Sequence, residues 1–266
     1  MTVRRFEEKN VIVTGAGQGI GRAIAERFAA EGAEVMLIGR RREPLDETEQ
    51  GITANGGSAW AHSADVSSSP DVDAAVATAN ERWGGRIDVL VNNAGIAEEK
   101  PFLEIEDDGW DRILATNLRG AFLMAQRVAR LQANAGAGSI VHIASIDASG
   151  GDGPYASYNA SKAGLLGLNR TMALELGPFG VRVNCLSPGF THTEMTEVGV
   201  PPGMMDYLVN RFDRVPMRRL VRPEEIASAC AFLASEDASG ITGVDLTVDC
   251  GLTANWYILE SIPSDE

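Results

Sequence analysis

In the stretch YASYNASKAG (residues 155–164), Tyr158 and Lys162 stand four positions apart, and Lys162 is one of only three lysines, with Lys9 and Lys100, in a chain of 266 residues. On a helix, residues i and i+4 share a face, about 5–6 Å apart at Cβ. A phenol titrates near pH 10, and a nearby ammonium favours the phenolate. Lys162 is therefore expected to lower the pKa of Tyr158 and make it a general acid–base near neutral pH. Ser145 ends the preceding apolar run. From there its hydroxyl could hydrogen-bond a substrate oxygen as charge develops on it. Each residue also has an ordinary reading: Ser145 as a cap or ST-turn, Tyr158 as an interface aromatic, Lys162 as surface charge.

The elements that must position these groups are legible as short apolar runs alternating with helical periodicity. Runs at 10–15, 34–39, 59–66, 87–95, 138–145, 181–189 and 244–251 read as strands. Helices are expected at 20–33, 43–56, 70–83, 107–134, 155–178 and 223–235, with a variable stretch over 190–222. Continuous Val/Ile/Leu strands are buried on both faces. Strand–helix alternation then implies an α/β fold, a doubly wound parallel sheet of about seven strands with helices on both faces. No Pro/Ser-rich linker and no solenoid-length repeat interrupts it, so residues 1–266 read as a single domain.

The first strand runs into Thr14-Gly15-Ala16-Gly17-Gln18-Gly19-Ile20-Gly21, and a helix follows at once. Glycines in such a turn permit positive φ and close backbone approach. The helix N-terminus offers free N–H groups to a phosphate. The position, after a strand and before a helix, is the one a dinucleotide-binding turn requires. The second strand ends at Gly39 and is followed by Arg40-Arg41-Arg42. No carboxylate is there to take a ribose 2′-OH, whereas arginines accommodate a 2′-phosphate. NADP(H) is therefore expected over NAD(H), with a solvated basic turn as the alternative.

Composition narrows the classes. The net charge of −14 and pI near 4.7 argue against a nucleic-acid or anionic-membrane partner. Cys185, Cys230 and Cys250 lack C-x-x-C spacing, and His62, His142 and His192 form no cluster. No metal is expected. No apolar leader follows MTVRRFEEKN and no run approaches transmembrane length, so a cytoplasmic protein is expected.

Over essentially its whole length the chain resembles the classical short-chain dehydrogenases/reductases, which have a Rossmann-like fold. The residues that carry the likeness are Thr14-Gly15-x-x-x-Gly19-x-Gly21, Asn92-Asn93-Ala94-Gly95, Asn117, Ser145, Tyr158-x-x-x-Lys162, and Pro188-Gly189 with Thr193. The resemblance implies hydride transfer between a nicotinamide and a carbonyl or secondary alcohol. Tyr158 would be the acid–base, and Lys162 would lower its pKa and hold the ribose hydroxyls. Ser145 would orient the substrate oxygen, and Asn117 would hold a water linking Lys162 to solvent. Thr14, Gly15, Gly17, Gln18, Gly19, Ile20 and Gly21 would hold the cofactor's phosphates, with Arg40 and Arg41 at the 2′-phosphate. Asp65 and Val66 would meet the adenine, and Asn93, Ala94 and Gly95 would line the adenosine ribose and nicotinamide side. Pro188, Gly189 and Thr193 would hold the carboxamide, with Thr191 in the same cofactor-binding set. One departure is Cys250 in Asp249-Cys250-Gly251, where the family more often has glycine.

The likeness also implies a homo-oligomer, tetramer or alternatively dimer, and a substrate lid over 190–222. Its Met195, Val198, Val200, Met204, Met205, Tyr207, Leu208, Phe212, Val215 and Met217 suggest an apolar, bulky or cyclic ketone or alcohol. Residues 147–156 (DASGGDGPYA) should form a pliable pocket wall whose polarity Asp147 and Asp152 tune. In the tail, 252–266, Trp256, Tyr257, Ile258 and Leu259 are expected to pack on a neighbouring subunit or near the pocket. Two other readings are a catalytically silent dinucleotide-binding sensor or scaffold and an NAD-dependent alcohol dehydrogenase of the same family. A nucleotide-sugar epimerase or dehydratase is disfavoured by chain length and by the form of the glycine turn.

Overall fold

Alternate residues of a strand point to opposite faces, and here both faces are covered. The computed structural model describes residues 4–200 and 203–255. Its strands are β1 (Asn10–Thr14), β2 (Glu34–Gly39), β3 (Ser58–Ser63), β4 (Val89–Asn92), β5 (Gly138–Ile143), β6 (Val181–Pro188) and β7 (Asp245–Val248). They form one sheet in the order β3-β2-β1-β4-β5-β6-β7, and every pairing is parallel. Ile12 of β1 stands opposite both Met36 and Leu90. Strand order reverses between β1 and β4, and such a switch point opens a crevice at the carboxyl ends of the strands.

The helices are α1 (Gly19–Ala30), α2 (Arg42–Ala54), α3 (Ser69–Arg82), α4 (Asp107–Leu114), α5 (Gly120–Ala135), α6 (Ala156–Leu176), α7 (Glu194–Gly199), α8 (Met204–Asn210) and α9 (Pro223–Ala234). On one face, Val11, Val13, Val35 and Leu37 pack with Ile24 and Phe28 of α1 and Ile226 and Cys230 of α9. On the other, Ile12, Met36, Ile38 and Leu90 pack with Val72 and Val76 of α3 and Met124 and Val128 of α5. This two-sided burial explains why the central strands read as unbroken apolar runs.

The structure revises several expected boundaries. β3 stops at Ser63, and the Asp65 carboxylate shapes the following turn by accepting from Ser67 N at 2.9 Å and Ser67 Oγ at 2.7 Å. β7 is limited to residues 245–248. The helix expected over 107–134 is α4 and α5 joined by a π turn at Ala115–Arg119. Such a turn inserts one residue and is common at functional sites. The stretch 190–222 contains α7, α8 and an isolated bridge between Thr191 and Val221. Trp256, Tyr257, Ile258 and Leu259 lie outside the described residues. Cys185 and Cys230 are buried free thiols. Among the described residues, no group of three or more potential ligands is placed to hold a metal. None of their helices is long and apolar enough to cross a membrane.

Candidate active site

Ser145, Tyr158 and Lys162 meet just beyond the carboxyl end of β5. Lys162 is 4% exposed. Its Nζ donates to the Ile143 carbonyl at 2.8 Å and lies 5.5 Å from the centroid of the Tyr158 ring. The ammonium thus sits against the ring and the strand end. Burial pushes the Tyr158 phenol up to about 12; a hydrogen bond with Ser145 works against that rise, and the Asp147 charge adds to it. Burial also takes Lys162 down to about 8. The expected lowering of the Tyr158 pKa by Lys162 is therefore not found, because desolvation of the phenol outweighs a charge directed elsewhere.

Ser145 is buried. Its Oγ donates to Asp147 Oδ2 at 3.1 Å and accepts from Asp147 N at 3.2 Å. The ordinary turn-capping reading and the chemical reading thus coexist in one hydroxyl. Asn117, in the π turn and 1% exposed, pairs with Ile96 much as a strand would. Its Oδ1 accepts from Ile96 N at 2.8 Å, and its Nδ2 donates to Ile96 O at 2.9 Å and to Ser161 Oγ at 3.0 Å. Ser161 Oγ donates in turn to the Tyr158 carbonyl at 2.7 Å. The Asn117 amide therefore ties the β4 loop to α6. A Cβ on Gly95 would stand 3.5 Å from Lys162 Nζ, so the same loop passes over the lysine.

The glycine turn forms a cradle. Gly15 and Gly19 hold φ of +66° and +52°, and a Cβ on Gly21 would fall 2.1 Å from Gly15 O. No side chain caps the N-terminus of α1, and no acid occupies its first turn, so its N–H groups remain for an anion. Thr14 and Asn93, expected to face the cofactor, build the cradle instead. Thr14 Oγ1 accepts from Asn93 N and Ala94 N at 3.0 Å each, and Asn93 Nδ2 donates to Thr14 O at 3.0 Å and Gly15 O at 3.2 Å.

Beside the cradle, Arg41 hydrogen-bonds Gln18 and Arg40 is exposed. Arg42 is held by Asp46 at 2.6 Å and Ala61 O at 3.1 Å. Half-buried Asp65 and buried Val66 lie in the turn after β3. At the far end, Pro188 closes β6, and a Cβ on Gly189 would meet Asp249 Cβ at 2.7 Å. Thr191 Oγ1 donates to Gly189 O at 2.8 Å. Thr193 caps α7, and its Cγ2 would lie 3.4 Å from a Cβ on Gly19. These residues fit a dinucleotide: an open backbone cradle, an uncapped helix end and cations beside it.

Three groups assigned little or no role from sequence also reach the site. Asp147 engages Ser145, and its carboxyl is raised chiefly by burial. Glu99 Oε2 accepts from Tyr155 Oη at 3.2 Å. Asp152 is raised by burial and by Glu99. The apolar residues of 190–222 largely serve one another. Leu208, Phe212, Val215 and Leu220 are buried together, with Met205, Tyr207 and Cys250 packed around them.

The model of a family described as enoyl-(acyl carrier protein) reductase matches residues 15–253. The chain is 39% identical over 256 residues to a (3R)-3-hydroxyacyl-CoA dehydrogenase of Canis lupus familiaris, covering 93% of this chain and 97% of that one. A short-chain type dehydrogenase/reductase from Mycobacterium marinum superposes with a TM-score of 0.88 at 33% identity, covering 95% of this chain and 98% of that one. A variant of the actinorhodin polyketide ketoreductase, solved with NADPH, gives a TM-score of 0.88 at 33% identity, covering 96% and 100% respectively. The glycine cradle, the Ser145–Tyr158–Lys162 cluster and full-length similarity to these oxidoreductases establish that the chain belongs to the classical short-chain dehydrogenase/reductase family.

Proposed function

We propose that the protein is an NADP(H)-dependent oxidoreductase that interconverts an uncharged ketone and secondary alcohol. The observation that carries this reading is the convergence of Ser145, Tyr158 and Lys162 beyond β5, across the sheet's switch point from the glycine cradle. When bound, the nicotinamide supplies or accepts the hydride. Tyr158 gives a proton to the carbonyl oxygen at its phenol oxygen, and a phenol at about 12 is in the donor form at neutral pH. Ser145 orients the substrate oxygen, Lys162 supplies fixed positive charge beneath the site, and Asn117 holds the surrounding loop against α6. Arg40 and Arg41, with no acid at the end of β2, support a 2′-phosphate. The NADPH in the ketoreductase neighbour agrees with that choice.

Glu99 and Asp152, together with Asp147 when it is ionised, form an acidic wall at the cleft that opposes an anionic substrate. Exposed Phe122 of α5 and Leu174 of α6 support a homo-oligomer, which light scattering would read. The functional test is a panel of neutral ketones and keto acids with each cofactor. Neutral ketones with NADPH should exceed NADH by at least about tenfold in kcat/KM, since one arginine–phosphate contact reaches about 1.4 kcal/mol. Tyr158→Phe should lose about 10²–10⁴ in turnover while still binding cofactor. Equal efficiency with NADH overturns the cofactor assignment, and an unchanged Tyr158→Phe rate overturns the chemistry.

A further inference from the structure

The turn after β5 folds the Asp147 carboxylate back on Ser145, two residues before it. Ser145 Oγ donates its proton to Asp147 Oδ2 at 3.1 Å and accepts from Asp147 N at 3.2 Å. A hydroxyl has one proton and two lone pairs. With that proton engaged, the oxygen can accept from the Tyr158 phenol or from a substrate hydroxyl, but it cannot donate to a carbonyl. Carbonyl reduction needs a donor at the oxygen where charge develops. The charge on Asp147 therefore bears directly on what Ser145 can do.

We propose that Asp147 is a positioning residue that sets the polarity of Ser145. As a carboxylate it holds the serine proton and leaves Oγ an acceptor. As the neutral acid it gives Ser145 back its donor function toward a carbonyl oxygen. The switch needs only a proton from solvent and a rotation of the hydroxyl. It rests on the oxidoreductase reading above.

The surroundings tilt Asp147 toward its neutral form. Burial raises the Asp147 carboxyl above its usual range, the Ser145 hydrogen bond opposes that, Asp152 adds to it and the Lys162 ammonium opposes it. The Asp147 charge acts in return on Tyr158, Lys162 and Tyr155. Glu99, bonded to Tyr155, stands behind Asp152.

The first measurement is reductive kcat/KM across the acid range. The neutral form is the competent one and its population grows as pH falls, so the wild type should speed up as pH drops through the Asp147 pKa. Asp147→Asn should lose that limb, whereas Asp152→Asn, which alters the same acidic wall, should keep it. An aspartate that only supports structure would change the rate by one factor at every pH, and a limb that persists in Asp147→Asn overturns the proposal. The second measurement needs no turnover: a carbon-13 NMR titration of the Asp147 carboxyl in cofactor-free protein. It should titrate above the usual carboxylate range and move higher in Ser145→Ala, where the bond favouring the carboxylate is gone. An unmoved titration in Ser145→Ala also overturns the proposal. If the wild type reduces no ketone at all, the oxidoreductase reading fails, and the titration still decides whether Asp147 and Ser145 are coupled.

Discussion

Tyr158 and Lys162 share a helix face but not a hydrogen bond, and the stability of the fold is affected by that arrangement. The Lys162 ammonium is buried and bonds to the Ile143 carbonyl. Its pKa falls from 10.5 to about 8, a drop equivalent to about 3 kcal/mol against keeping the charge in the folded state. Losing the bond to Ile143 would return about 1–2 kcal/mol of that. Lys162→Met is therefore expected to be more stable than the wild type by about 1–2 kcal/mol in urea at pH 7, while turnover falls at least about 100-fold. The sign follows from proton binding. The folded wild type holds fewer protons than the unfolded chain between about 8 and 10.5, so its stability climbs with pH across that window. The advantage of methionine is full below the window and gone above it. A methionine variant less stable at pH 7 would contradict the idea that the site keeps this charge at a cost.

At the scale of elements, two helical glycines separate a functional constraint from an idle one. A Cβ on Gly21 of α1 would press on Gly15 O at 2.1 Å, whereas one on Gly51 of α2 meets nothing within 4 Å. Gly21→Ala should cost about 2–3 kcal/mol through overpacking and weaken dinucleotide binding about tenfold or more by displacing α1 from the turn. Gly51→Ala should stabilise by about 0.5–1 kcal/mol from helix propensity. Thermal unfolding and calorimetric titration with NADP+ would compare them, and equal effects from the two would reject the argument. The same elements show what a sequence reveals. The strands, their order of appearance and the glycine turn are legible because they follow from burial and backbone freedom. The π turn is not, since Ala-Thr-Asn-Leu-Arg at 115–119 carries no local signal for it; in the fold Asn117 is held there by the Ile96 backbone and by Ser161 of α6. Hydrophobic patterning picks out the apolar residues of 190–222 but not their partners: Leu208, Phe212 and Val215 bury one another. Thr14 and Asn93 are expected from sequence to face a cofactor, whereas their polar atoms turn inward and hold the cradle together. That their polar atoms bind each other's backbone appears only in three dimensions.

Across the whole molecule, one carboxylate joins the start of the chain to its last third. Glu31, at the C-terminal end of α1, has a side chain only 1% exposed. It accepts from Arg5 Nε at 2.6 Å and Nη2 at 2.7 Å, and from Arg27 Nε at 2.5 Å. Arg27 also donates to Ser228 Oγ of α9 at 3.1 Å, and Arg5 lies 3.8 Å from Asp237. Burial alone would raise the Glu31 carboxyl, but the bonds from Arg5 and Arg27 win and hold it below the usual range. Removing one member of such a cluster strands the others, so Glu31→Gln should cost about 3 kcal/mol in urea at pH 7. A depressed carboxyl stabilises the fold above its unfolded pKa near 4.5 and loses that contribution as pH falls below it. The gap between wild type and Glu31→Gln should therefore hold from pH 7 to about pH 5 and narrow as pH falls below about 4.5. α1 runs about 18 Å from the cradle to Glu31, so NADP+ affinity of the folded variant should not change. A cost independent of pH would show that Glu31 contributes only packing, and that Arg5, α1 and α9 are held together by something other than this charge cluster.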